Sequence, residues 1–137
     1  MTTGYKNENY AKLGLGRFTS WFRPPGVPPQ KRPADIDGVL HDRRGNRFIL
    51  FEFKPRGAEL TVGQRITLQG FSQLPNCQAI VIFDPAYDKQ VDRYSDDQPF
   101  DIITFKYGNA TPRVTVTLEQ LNAGIAKWFA EGGNPFV

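Results

Sequence analysis

A mixed α/β fold, with helices flanking a central sheet, follows from three features of the sequence. Residues 78–83 (QAIVIF) are an almost wholly apolar run, the pattern of a strand covered on both faces. Residues 34–40 (ADIDGVL) and 47–54 (RFILFEFK) are strand-like and enclose Asp-Arg-Arg-Gly-Asn, a turn composition, so they read as a β-hairpin. Two segments begin with capping-box spacing: 61–74, with Thr61 and Gln64, and 118–131, with Thr117 and Gln120.

The remaining elements follow in chain order. Residues 5–22 have a weak helical pattern, interrupted by Gly14 and Gly16. Residues 24–33 hold five prolines, which exclude a helix or central strand and predict an extended connector. Residues 84–99 are polar and acidic and read as a loop or short helical excursion. Residues 101–106 (DIITFK) read as a strand and 113–117 (RVTVT) as a short edge strand. Gly132-Gly133 stops the closing helix. The predicted organisation is one domain, with a basic helix and Pro-rich arm over 1–33 leading into a core over 34–137.

Composition narrows the function. A chain of 137 residues can bury an ordinary core without a disulfide or metal staple. Cys77 is the only cysteine and His41 the only histidine, which excludes a disulfide framework, a multi-cysteine zinc site and a histidine-rich active site. Cys77 reads as a small core residue, and His41 as a turn-flanking residue with no special role. Asp84, Asp88, Asp92 and Asp96 recur every four residues but lack the Gly and Glu of a calcium loop, and read as a solvated face. No apolar run approaches the roughly 18 residues of a membrane span. The polar start, Met1 to Tyr10, has no secretory pattern. A cytoplasmic protein is therefore expected, acting in the host cytoplasm if phage-encoded.

The net charge is only +3, but its placement is uneven. Residues 1–34 hold six basic groups (Lys6, Lys12, Arg17, Arg23, Lys31, Arg32) against Glu8 alone. A basic arm on a less basic body is a common nucleic-acid footprint and equally a solubilising pattern. Trp21 and Phe22 beside Arg23 suit stacking on unpaired bases, though such a pair at a helix end is more often core.

The hairpin carries the chemistry. Along 47–54, Phe48, Leu50, Glu52 and Lys54 share one face. A four-residue loop, Arg43 to Asn46, pairs Asp42 with Arg47. That register sets Asp37 opposite Glu52 and Asp35 opposite Lys54. Facing carboxylates among apolar residues are costly without a counter-ion. Hard oxygen donors with no His or Cys suit Mg²⁺ or Mn²⁺ better than Zn²⁺. Lys54 then stands on the same face, able to stabilise charge developing on a phosphate. Arg56 suits contact with a substrate backbone, as do Arg43 and Arg44 at the hairpin tip, although tips are often basic for solubility.

Asp-Ile-Asp-Gly-Val-Leu followed, after a turn, by Phe-Ile-Leu-Phe-Glu-Phe-Lys resembles the PD-(D/E)XK nuclease superfamily, in which an acid on one strand is followed by Glu-x-Lys on the next. The local pattern is similar to its Holliday-junction resolvases and nuclease-related domains. The resemblance covers residues 34–83 and implies a restriction-endonuclease-like fold with an αβββαβ core. It implies that Asp37 and Glu52 bind metal, with the Phe53 carbonyl as a further ligand, and that Lys54 is the catalytic lysine. Glu8 would match a glutamate that some members supply from an N-terminal helix. Gln64 would match a glutamine on the helix after the lysine strand, and it equally serves the capping box. The Pro-Asp pair is absent, since Ala34 separates Pro33 from Asp35; the acid is Asp35 or Asp37, and the register and small Gly38 favour Asp37. The expected activity is Mg²⁺-dependent endonucleolytic hydrolysis of DNA, structure-selective for branched or single-stranded substrates. The basic arm, including Lys31 and Arg32, would hold the backbone, and a homodimer would suit symmetric junction cutting. The rivals are a non-catalytic nucleic-acid-binding module on the same fold and a phage structural or interaction protein.

Overall fold

In a computed structural model of the chain, which describes residues 24–28 and 36–131, the hairpin closes through the four-residue loop 43–46. Strand β1 (Gly38–Asp42) runs antiparallel to β2 (Arg47–Pro55), with Asp42 paired to Arg47 and Gly38 to Phe51. Asn46 ends the loop at φ 51°, a left-handed conformation that Asn tolerates better than most residues. His41 clasps the closed end: its ring stacks on Phe48 at 4.3 Å, and its Nε2 lies 3.0 Å from Asn46 Oδ1.

Helix α1 (Val62–Ser72) carries the chain across the sheet, so β3 (Cys77–Asp84) lies parallel to β2. Strand β4 (Pro99–Lys106) is antiparallel to β3. The chain reverses at Tyr107 and Gly108, both at positive φ (55° and 80°), as a two-residue type I′ turn requires. It then pairs with β4 twice, first as β5 (Asn109–Ala110) and then as β6 (Val114–Thr117). Helix α2 (Leu118–Ala130) follows. The six-stranded sheet has the order β1-β2-β3-β4-β5, with β6 also on β4, and is mostly antiparallel. This is the mixed α/β architecture expected, with two helices among the described residues.

Each sheet face has its own core. Leu50, Ala79, Val81, Phe83, Ile103 and Phe105 pack with Leu68 of α1. Ile49, Ile80, Ile82 and Phe100 pack with Trp128 of α2. Strand β3 is buried along nearly its whole length, as its apolar run predicts. Cys77 is buried within it, and burial pushes its thiol pKa up.

The closed end of the hairpin is fastened to α2 by charge. Arg47 is fully buried and donates to Asp42 Oδ2 through Nη2 at 2.5 Å and Nε at 3.1 Å. The same Nη2 donates to the Trp128 carbonyl at 2.7 Å, and the guanidinium lies 4.1 Å from the centre of the Trp128 ring. Arg44 adds an ion pair to Asp42 at 3.1 Å and donates to the Phe129 carbonyl.

Three expectations need correction. The first strand begins at Gly38, not residue 34: Ile36 and Asp37 precede the ladder, and residues 34 and 35 lie outside the described residues. The connector over 24–33 is not simply extended. Val27 N–H donates to Pro24 O across a turn with Gly26 at φ 81°, and Pro followed by such a glycine is the type II pattern. Asp84 belongs to no recurring solvated face; it accepts hydrogen bonds from Tyr94 Oη at 2.6 Å and Ala86 N–H at 2.8 Å. The chain divides into two compact units, Met1–Asp35 with Asp88–Gln90, and Ile36–Tyr87 with Val91–Val137. The expected helix over 5–22 falls outside the described residues, in which two strands precede α1 where an αβββαβ core has three. No described helix is long and apolar enough to cross a membrane.

Arg47→Ala strips the partner from a buried carboxylate and should lower the melting temperature by on the order of 10 °C, read by circular dichroism. The Arg47 and Arg44 guanidinium groups hold the Asp42 carboxyl at about 2, below its ordinary 3.8. A carboxylate depressed on folding adds stability above its unfolded pKa, and this is lost as pH falls through the folded pKa. The stability gap between wild type and Asp42→Asn should therefore be constant above about pH 5 and narrow between 3.8 and about 2.

Candidate functional site

The open end of the hairpin, remote from the Arg47 anchor, gathers the acids. One step beyond the last ladder pair, Gly38 with Phe51, Asp37 falls opposite Glu52. Asp37 replaces a ladder bond with its side chain: its Oδ2 accepts the Phe53 N–H at 2.7 Å. The N–H and C=O of one strand residue point to the same side, so the Phe53 carbonyl faces the side on which the Asp37 carboxylate sits.

Glu52 is half-buried on the α1 face, in register with the fully buried Val81. Its Oε1 is shut off from solvent. Its Oε2 lies 3.5 Å from Gln64 Nε2, a long contact. Gln64 forms the capping box that the sequence predicts. Its Oε1 accepts the Thr61 N–H at 3.0 Å, and its N–H donates to Thr61 Oγ1 at 3.1 Å, completing the capping box. With Oε1 committed to the cap, Nε2 is turned toward Glu52. The helix start positions the glutamine, whose amide nitrogen faces the glutamate at the outer limit of hydrogen-bond distance.

Lys54, half-buried, lies two residues on and on the same face, opposite Phe83. Among the described residues its ammonium makes no ion pair or hydrogen bond. Beside it runs a row that the sequence did not disclose: Lys54, Phe83, Asp101 and Thr115 are successive neighbours across β2, β3, β4 and β6. Arg113 lies over this row, its Cζ 3.7 Å from the centre of the Phe83 ring. Its Nε donates to Asp101 Oδ2 at 3.0 Å, its Nη2 to Arg56 O at 2.5 Å and its Nη1 to Ala58 O at 3.3 Å. The Thr115 hydroxyl, donating to Asp101 Oδ1 at 2.7 Å, and the Arg113 guanidinium hold the Asp101 carboxyl below its ordinary pKa.

Arg56 contributes its carbonyl to this clamp while its side chain stays exposed. Arg43 and Arg44 are not part of the site. They lie beyond the closed end, and Arg47 alone is five residues, roughly 17 Å, from Glu52 along the strand. Arg44 is also committed to Asp42. Glu8, Lys31, Arg32 and Asp35 lie outside the described residues. Among the described residues no group of three or more His, Cys, Asp and Glu side chains is gathered to hold a metal ion. The donor set here is two carboxylates and a main-chain carbonyl, all hard oxygen, which suits Mg²⁺ or Mn²⁺.

Compared with family models, curated proteins and solved structures, the chain matches none.

Gln64→Glu keeps a competent capping residue but sets a second carboxylate against Glu52. Its melting temperature should fall below wild type at neutral pH and recover as the pH approaches 4. Thr61→Ala, which removes the cap alone, should cost about 1 kcal/mol in urea denaturation at every pH in that range.

Proposed function

We propose that this chain is a divalent-metal-dependent endonuclease with a restriction-endonuclease-like core, hydrolysing DNA phosphodiester bonds and favouring branched or single-stranded substrates. The observation that carries this reading is the register of the hairpin. It brings Asp37 opposite Glu52, with the Phe53 main chain alongside Asp37 and Lys54 next on the Glu52 face. Asp37, Glu52 and the Phe53 carbonyl would hold the ion. Mg²⁺ or Mn²⁺, when bound, supplies Lewis-acid neutralisation of charge at the phosphate oxygens.

The chain's own residues do the rest. Gln64 Nε2 faces Glu52 and would help to orient the ligand carboxylate before substrate arrives. Lys54 presents a cation where negative charge accumulates on the phosphate, stabilising it most in the transition state. Half-burial beside Phe83 strengthens that interaction by excluding some of the screening water. Arg113 clamps the carbonyls of Arg56 and Ala58, and so fixes the loop that follows Lys54. The exposed Arg56 side chain is set to meet the backbone of a bound strand.

Linear duplex, single-stranded and four-way-junction DNA incubated with Mg²⁺, Mn²⁺ or a chelator test this directly. Wild type should cut only with metal. Glu52→Ala should reduce cutting to background, and Lys54→Ala should slow it by roughly 10²–10³-fold. Binding without cutting under either metal would favour a non-catalytic nucleic-acid module. Neither binding nor cutting would favour a structural or interaction protein.

A further inference from the structure

On the Lys54 face, one strand over, lies a cleft of about 520 Å³. This is within the roughly 300–1,000 Å³ typical of small-ligand sites. It is lined by the apolar Phe83, Ile103 and Leu60 together with Glu59, Arg65, Pro112 and Arg113. We propose that this cleft receives an unpaired nucleobase of the bound strand, stacked on the exposed face of the Arg113 guanidinium. The inference rests on the nucleic-acid reading above and names the part of the substrate that this cleft takes.

The case is made by what Arg113 is unsuited to do. An arginine that grips phosphate uses its planar fork of N–H donors. Here all three nitrogens already donate, to Asp101, Arg56 and Ala58, which commits three of the five N–H groups. These three anchors hold the guanidinium in place. One face of the plane is covered by Phe83, itself 1% exposed. The side chain is nonetheless 31% exposed. Arg113 also lines the cleft, and with Phe83 against one face it is the opposite face that would meet the base.

The result is a rigid, flat, cationic platform with an aromatic ring beneath it. Flat π surfaces are what a guanidinium plane stacks with best, and bases splayed from a strand are bound in this way. The platform needs no ordering when the base arrives, because its hydrogen bonds are already made. Leu60 and Pro112 offer apolar edges to the base. Arg65 is exposed on α1, with its Cζ 5.9 Å from the centre of the Phe105 ring, and is the cleft's other cation for the strand. The location fits: Phe83 is the direct neighbour of Lys54, one strand spacing of about 4.8 Å away, so the base would belong to a nucleotide flanking the phosphate at Lys54.

The test compares two single strands of equal length in metal-free buffer, one carrying bases and one abasic throughout, so that phosphate charge is constant. Wild type should bind the base-bearing strand about tenfold more tightly. Arg113→Lys keeps the charge but removes the plane, and should bind both strands equally; the readout is the ratio of the two affinities, because loosening the Arg56 loop weakens both strands alike. In parallel, a strand carrying 4-thiothymidine, irradiated with wild-type protein, should leave adducts on peptides containing residues 59–65 or 110–113. This measurement holds even if Arg113→Lys fails to fold. Equal wild-type affinity for both strands, a base preference retained in Arg113→Lys, or adducts confined to other peptides overturns the proposal while DNA binding stands. Binding to neither strand overturns the nucleic-acid reading itself.

Discussion

The interaction on which the rest depends is the buried contact of Arg47 with Asp42. It closes the hairpin from within and ties it to the last turn of α2 through the Trp128 carbonyl. Without it, the register of β1 on β2 would rest on one short main-chain ladder and a stacked His41. A slip of one residue would turn every side chain of β1 to the other face. Asp37 would then no longer oppose Glu52. The ion pair is far from the acids it aligns, yet their alignment is its consequence. Its charges are buried and paired, with Arg44 adding a second cation to Asp42, although Arg47 Nη1 is buried without a hydrogen-bond partner among the described residues.

From that fixed end the structure builds outward in ordered steps. The hairpin sets Glu52 and Lys54 on the α1 face. The parallel crossover through α1 then lays β3 beside β2, which puts Phe83 next to Lys54. Strands β4 and β6 extend the same row to Asp101 and Thr115. Arg113, arriving from the segment between β5 and β6, locks the row to the loop after Lys54. Elements separated by some sixty residues thus meet at one edge of the open end.

The sequence disclosed what is local. The loop 43–46, the pairing of Asp42 with Arg47, both capping boxes and the buried run of β3 follow from nearest-neighbour chemistry. The opposition of Asp37 and Glu52 was legible for the same reason, since counting back from a turn needs no tertiary information. What was hidden depended on long-range contact. Nothing in Arg-Val-Thr-Val-Thr announces that Arg113 will lie on Phe83, thirty residues earlier. The inward turn of Arg47 was equally silent, because a strand-initial arginine ordinarily faces water. Strand β5 went unread because two residues carry no periodicity; only Tyr-Gly-Asn marked its turn. The choice between cap and site at Gln64 was undecided in the sequence because one end of its amide serves the cap while the other faces Glu52.

The two helices begin with the same four-residue device, Thr-x-x-Gln, and with the same pair of reciprocal hydrogen bonds. At Gln120 the amide nitrogen has no acid set before it among the described residues; at Gln64 it faces Glu52. The molecule therefore contains its own reference measurement. Any property that differs between matched changes at Gln64 and Gln120 reports the electrostatic environment of Glu52, with the helix-start contribution subtracted by the protein itself.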